Sequence, residues 1–180
     1  MSLEPAGLGD RAAELRRRFD ASFAEAPGGG AGPHEDLLLV RIGGDAFAIR
    51  LSEVAALTMA RRLASLPGRC PEFLGVVAFR GLIVPVFGLG ALLGCPRGNG
   101  ARWMVLAATD DCVGLAFDEY EGYLRIPEAD VLTPDRSATM PDHVHAIARH
   151  GGAARPLLSL SSVLNAIKRR IRPGGPSMER

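Results

Sequence analysis

The stretch that most constrains this chain runs from Phe73 to Gly94 (FLGVVAFRGLIVPVFGLGALLG) and carries a single charge, Arg80. Its apolar segments, Gly75–Phe79 and Leu82–Phe87, are each too short to cross a membrane, and the charge between them rules out one continuous span. Short runs rich in Val, Ile and Phe read as buried strands. Here they meet at a tight Arg80-Gly81 turn, with Gly81 supplying the backbone freedom. Pro85 removes a ladder donor from the second run, so an edge or a bulge is expected there. An arginine at such a turn must reach water or a partner, because burying it unpaired costs too much. Two readings of Arg80 stand side by side: an ion pair with a nearby carboxylate at a strand end, or a contact with a partner. Arginine on a rigid apolar rim is a preferred interface hot spot.

Bulk properties exclude more than they select. A chain of 180 residues suits one domain with tails. Its net charge of +1 exerts no long-range pull on nucleic acid or anionic lipid. Aromatics at 6%, with Trp103 the single tryptophan, leave little stacking material for single strands. Cys70, Cys95 and Cys112 are an odd number at wide spacing without C-x-x-C, which reads as buried thiols in a reducing compartment. No apolar segment of signal-peptide type follows the first residues, so a cytoplasmic location is expected.

Along the chain, residues 1–33 read as an amphipathic helix and linker. Asp10 can cap, Ala12, Leu15, Phe19 and Phe23 fall on one helical face, and a glycine- and proline-rich tether follows. Such a helix either folds back over a local apolar patch or docks on a partner. The domain proper is expected over 34–172. Leu37–Ile42 and Ala46–Leu51 read as a hairpin about Gly43-Gly44-Asp45, with Phe47, Ile49 and Leu51 on one side. Ser52 is expected to cap a helical turn through Leu57, with Val54 and Leu57 inward. After the central stretch, whose last residues (88–94) suggest a short helix, a second hairpin is expected at 102–117, turning at Thr109-Asp110-Asp111. Short strands follow at Tyr123–Ile126 and Val131-Leu132, then a hairpin of 143–149 and 154–160 about His150-Gly-Gly152. Ser161 or Ser162 caps a final helix with Val163, Leu164, Ile167 and Ile171 on one stripe and a basic last turn. Residues 173–180 read as a disordered tail.

Catalysis requires a nucleophile or base held by an orienting partner, or a metal. Asp142, His143, His145 and His150 are the best metal candidates, since a strand would put His143 and His145 on one face. Their spacing is not discriminating. Asp118, Glu119 and Glu121 form a carboxylate cluster that reads as a solvated strand end. No G-x-S-x-G, H-E-x-x-H or dinucleotide fingerprint occurs, and no cofactor is implied. An enzyme is not expected.

Many short strands between glycine-rich turns, with only short helices, make an all-β barrel or sandwich. The duplicated hairpin layout favours two small barrels. The run Gly75-Val-Val-Ala-Phe-Arg-Gly-Leu-Ile-Val-Pro-Val-Phe-Gly-Leu89 resembles the central motif of the chemotaxis coupling proteins (CheW-like), G-V-x-N-L-R-G-x-x-[VI]-P-[VI]-x-D-L-R. The glycines, Arg80, Pro85 and Leu89 match. Ala78, Gly88 and Gly90 replace the motif's Asn, Asp and Arg, and Ser159 stands where Asp is common. A weaker likeness extends from Leu37 to about Leu164. The resemblance implies two SH3-like five-stranded barrels sharing an apolar seam. It also implies a non-catalytic adaptor between a chemoreceptor's cytoplasmic tip and the regulatory domain of a CheA-type histidine kinase. A receptor-binding site is implied at Arg80 with its neighbours Phe79 and Gly81, and at Val54 in the same groove; no residue is assigned to the kinase contact. A diverged adaptor retaining one interface, or a small-barrel binder of ligand or nucleic acid, is the alternative.

Overall fold

The computed structural model describes residues 32–60, 63–66, 70–95, 100–109, 112–133 and 141–171. The expected N-terminal helix, most of its linker, the basic residues Arg61, Arg62 and Arg69, and the tail from 172 lie outside these.

The strand core begins with β1 (His34–Ile42) and β2 (Asp45–Arg50), antiparallel about Gly43-Gly44. A 3-10 turn at Leu51–Glu53 then leads into β3 (Val54–Met59). Four strands follow: β4 (Phe73–Phe79), β5 (Leu82–Gly88), β6 (Trp103–Ala107) and β7 (Gly114–Phe117), with a one-turn helix α1 (Leu89–Leu92) after β5. The chain continues through β8 (Glu119–Pro127), β9 (Val131–Leu132), β10 (Val144–His150), β11 (Ala153–Leu158) and helix α2 (Leu160–Ile171).

These strands form two sheets. One is ordered β8-β1-β2-β11-β10-β9 and the other β3-β6-β7-β5-β4. The first counts six strands rather than the expected five because Pro127 ends β8 and a 3-10 turn intervenes before β9. The chain thereby leaves one edge of that sheet and rejoins the other, so β8 and β9 act as one bent strand closing a barrel. The second sheet closes differently. Beyond β3 the chain crosses to β4, where Ala64 and Val76 exchange backbone hydrogen bonds of 2.8 and 3.0 Å. Gly75 permits that approach: its φ is +134°, and a Cβ there would overlap the Ala64 carbonyl oxygen.

Three apolar clusters explain why the strands read as nearly continuous hydrophobic runs. Leu37, Ala48, Ile126, Ala146, Ala148 and Leu157 fill the first barrel. Val84, Val86, Met104, Leu106 and Ala116 fill the second. Between the barrels, Leu38, Val40, Phe47, Ile49, Phe87, Val105, Leu115, Phe117 and Leu158 meet the helices in a shared seam. Successive side chains of a strand point to opposite faces. Leu37 therefore faces a barrel interior and Leu38 the seam, and both are buried. The expected all-β fold of two small barrels over an apolar seam is what the chain forms.

Several local expectations give way. Residues 54–59 form a strand, not the end of a helical turn, and no side chain caps the 3-10 turn before them. Apolar residues at 54 and 57 suit either state, and pairing with β6 decides it. Leu51 is 38% exposed instead of continuing the Phe47–Ile49 face. Strand β8 starts at Glu119, four residues earlier than expected. The helix cap is Ser159, whose Oγ accepts the Ser162 N–H at 3.3 Å, rather than Ser161 or Ser162. Ile171, placed on the buried stripe, is 56% exposed at the helix end. Pro85 sits as expected at a local edge: β5 pairs with β7 only from Val86 onward.

Candidate functional site

The β4–β5 hairpin turns on Arg80 and Gly81, with φ of 49° and 82°. Two successive left-handed residues are the mark of a type I′ turn, whose twist matches that of the flanking strands. The β1–β2 and β10–β11 hairpins use Gly43-Gly44 and Gly151-Gly152, also at positive φ. At the β4–β5 tip an arginine occupies the position where those two turns have glycine. A left-handed residue carrying a Cβ costs about 1–2 kcal/mol.

That arginine is held from one side. Its guanidinium carbon lies 5.2 Å from the centroid of the Phe79 ring, and Phe79 packs against the interior cluster of the second barrel. A cation over a ring at an exposed site is worth about 0.5–1 kcal/mol. Among the described residues no carboxylate pairs with Arg80, so the ion-pair reading does not hold there. Beside it, Leu82 is 58% and Ile83 77% exposed, and Ala78, opposite Ile83, is exposed too. The second run is thus not a wholly buried strand. Its first two residues project past the barrel wall, and burial starts at Val84. Along the outer face Ile83 is followed by Pro85 and Phe87. These two join Val113, Leu164, Ile167 and Ile171 around an apolar groove of about 210 Å³, with Lys168 also in its lining.

Phe79, Arg80 and Gly81 therefore meet at one tip. Val54 opens β3 opposite Ala107 and packs against the seam.

The other candidates resolve into structural roles. His143 lies in the turn before β10 at φ 69°, not in a strand, so it does not share a strand face with His145. Its Nδ1 is 2.9 Å from Ser162 Oγ, and burial lowers its pKa. His145 and His150 are exposed, and no metal-binding group of His, Cys, Asp and Glu occurs among the described residues. Asp118 accepts the Gly43 N–H at 2.5 Å, and Glu121 accepts Arg41 Nε at 2.5 Å as well as Arg155. Burial pushes the Glu121 pKa up, but the hydrogen bonds from Arg155 and Arg41 outweigh it and hold the carboxyl below its ordinary value. The described cysteines are free thiols.

One residue that sequence reasoning passed over organises the junction of the barrels. The Glu53 carboxylate accepts the N–H groups of Leu160 at 3.1 Å and Ser161 at 3.4 Å, at the start of α2. Its backbone carbonyl accepts the Ala108 N–H at 2.8 Å. Nothing local in the sequence signals this, because the partners of the carboxylate lie more than a hundred residues downstream.

The sequence matches the family model described as CheW-like domain over residues 36–168. No curated protein matches it. Among solved structures, the scaffolding protein TtCheW from Thermoanaerobacter tengcongensis is similar with a TM-score of 0.63 and 18% identity, over 71% of this chain and 90% of that one. That likeness is one of fold, and the family match over most of the double barrel agrees with it. This chain belongs to the CheW-like domain family.

Proposed function

We propose that the protein is a non-catalytic adaptor of chemotaxis-like signalling, coupling the cytoplasmic tip of a chemoreceptor to the regulatory domain of a CheA-type histidine kinase in the cytoplasm. Family membership supports the scaffold role. The observation that carries the receptor contact is the β4–β5 tip, where a guanidinium seated on Phe79, with no carboxylate partner among the described residues, stands beside exposed Leu82 and Ile83. A receptor tip is helical, and helices dock by laying an apolar stripe into a groove. The apolar groove at Pro85 and Phe87 offers such a stripe a seat, and Arg80 on the same hairpin supplies a directional polar contact. An adaptor of this kind works by differential contacts: holding receptor and kinase together, it lets a change in one bias the equilibrium of the other. No helix among the described residues is long and apolar enough to cross a membrane.

The test is a titration of the full-length chain with a soluble receptor-tip fragment. Arg80→Glu is expected to cost no more than about 1 kcal/mol of stability, the loss of the Phe79 contact included. Binding should weaken by about 2 kcal/mol or more, as for a central arginine hot spot. Unchanged affinity would remove the tip from the receptor contact.

A further inference from the structure

Gly88 and Gly90 occupy positions where the coupling-protein motif carries Asp and Arg, and neither is needed for its backbone. Gly88 has a φ of −83°, Gly90 lies inside α1, and neither falls in the left-handed region. A Cβ would come no closer than 3.5 Å to Leu74 Cδ1 at position 88, and 3.8 Å to Ile42 Cγ2 at position 90. Both are ordinary contacts, so what the two glycines contribute is empty space. Beside them opens a cavity of about 320 Å³, walled by Leu74, Ala91, Ala116 and Phe117. Small-molecule sites begin at roughly 300 Å³, and an apolar cavity of about 150 Å³ already takes benzene.

One end of this cavity is acidic. Asp118 lines it beside Cys95. One Asp118 oxygen accepts the Gly43 N–H, and among the described residues no cation pairs with Asp118 or with neighbouring Asp45. Burial, and then the charges of Asp45 and Asp118, push the Cys95 thiol up. An apolar box with negative charge at one end selects an occupant that is apolar at one end and positive at the other.

We propose that this cavity binds a small organic cation, its apolar body between Leu74 and Phe117 and its ammonium or guanidinium group at Asp118. The site is separate from the β4–β5 tip and does not rest on the adaptor reading.

The probe is 2-phenylethylammonium, titrated calorimetrically into the intact chain, with 2-phenylethanol as the neutral control of similar size. Saturable one-site binding is expected, at least tenfold tighter than for the alcohol. Asp118→Asn keeps an acceptor for Gly43 and should weaken the cation at least tenfold. Gly90→Leu fills the space, replaces a helical glycine, and should abolish binding while the chain remains folded by circular dichroism. Amide chemical-shift changes on the unsubstituted chain supply a readout that survives a misfolded variant, and should cluster at 88–91 and 115–118. No saturation at millimolar probe, equal affinity for the alcohol, affinity unmoved by both substitutions, or shifts located elsewhere would each overturn the assignment.

Discussion

At the scale of single residues, Arg80 is instructive because the fold supplies its own controls. Two other hairpins make the same kind of turn with paired glycines, so the backbone demand at position 80 is known independently of its side chain. Arginine satisfies that demand poorly, and non-glycine residues held at positive φ gather at functional sites. Asn-Gly is the most favourable pair for such a turn, and asparagine tolerates the left-handed region. Arg80→Asn is therefore expected to hold thermal stability constant or raise it, despite losing the Phe79 stack, while receptor-tip binding falls. A melting curve and a titration on one preparation check this; a variant that loses stability and keeps binding would show that the arginine serves the turn alone. The residue itself was legible in the sequence, since a lone charge between two apolar runs must emerge somewhere. The exposure of Leu82 and Ile83 was not, because composition cannot tell where a strand outruns its barrel.

Among elements, those with two buried faces were the readable ones. Strands β1, β2, β5 and β6 divide their side chains between a barrel interior and the seam, and their unbroken apolar runs signal this. Strand β3 escaped because Val54 and Leu57 fit a helical step as well as a strand, and only β6, some fifty residues on, settles it. In β8 the carboxylates drew the eye from an alternation with Tyr120 and Gly122 that was the true strand signal. The start of α2 shows the same limit, with a further consequence. Ser159 caps the helix where an Asp is common in the coupling-protein pattern, yet Glu53 already brings a carboxylate to that end, its Oε1 3.5 Å from Ser159 Oγ. An aspartate is ordinarily welcome at a helix N-terminus. Here Ser159→Asp would set two carboxylates side by side in a largely buried place, and is expected to destabilise by about 1 kcal/mol or more. Adding Glu53→Gln should recover much of that loss. Urea unfolding of the three variants measures it, and a stabilising Ser159→Asp alone would show that Glu53 does not act as the cap.

Across the whole molecule, the perturbed carboxylates and His143 share one sign. Hydrogen bonds from Arg125 and then Tyr123 lower the Asp36 carboxyl to about 2. The Cys70 thiol and the charge of Arg170 lower Glu72, Glu121 is held down by its two arginines, and burial lowers His143. A group whose folded pKa is depressed stabilises above its unfolded value and loses that contribution as pH falls through the folded one. Stability is therefore expected to begin declining below about pH 6.5, where unfolded histidine takes up its proton, and to fall further below about pH 4.3 as the carboxylates follow. His143→Gln should remove the upper part of this decline and leave the lower. Melting temperatures at intervals from pH 7 to pH 3 test it, and a decline of the same shape in the variant would acquit His143. The sheet order carries a last consequence, for the manner in which the chain is made. Every strand of the second barrel lies between β2 and β8, and β2 finds its parallel neighbour β11 only at Leu157 and Leu158. A ribosome adding about 5–20 residues per second leaves that edge of β2 waiting on the order of ten seconds. The barrel begun second is the first that can close, and the one begun first is sealed by the last strand to emerge.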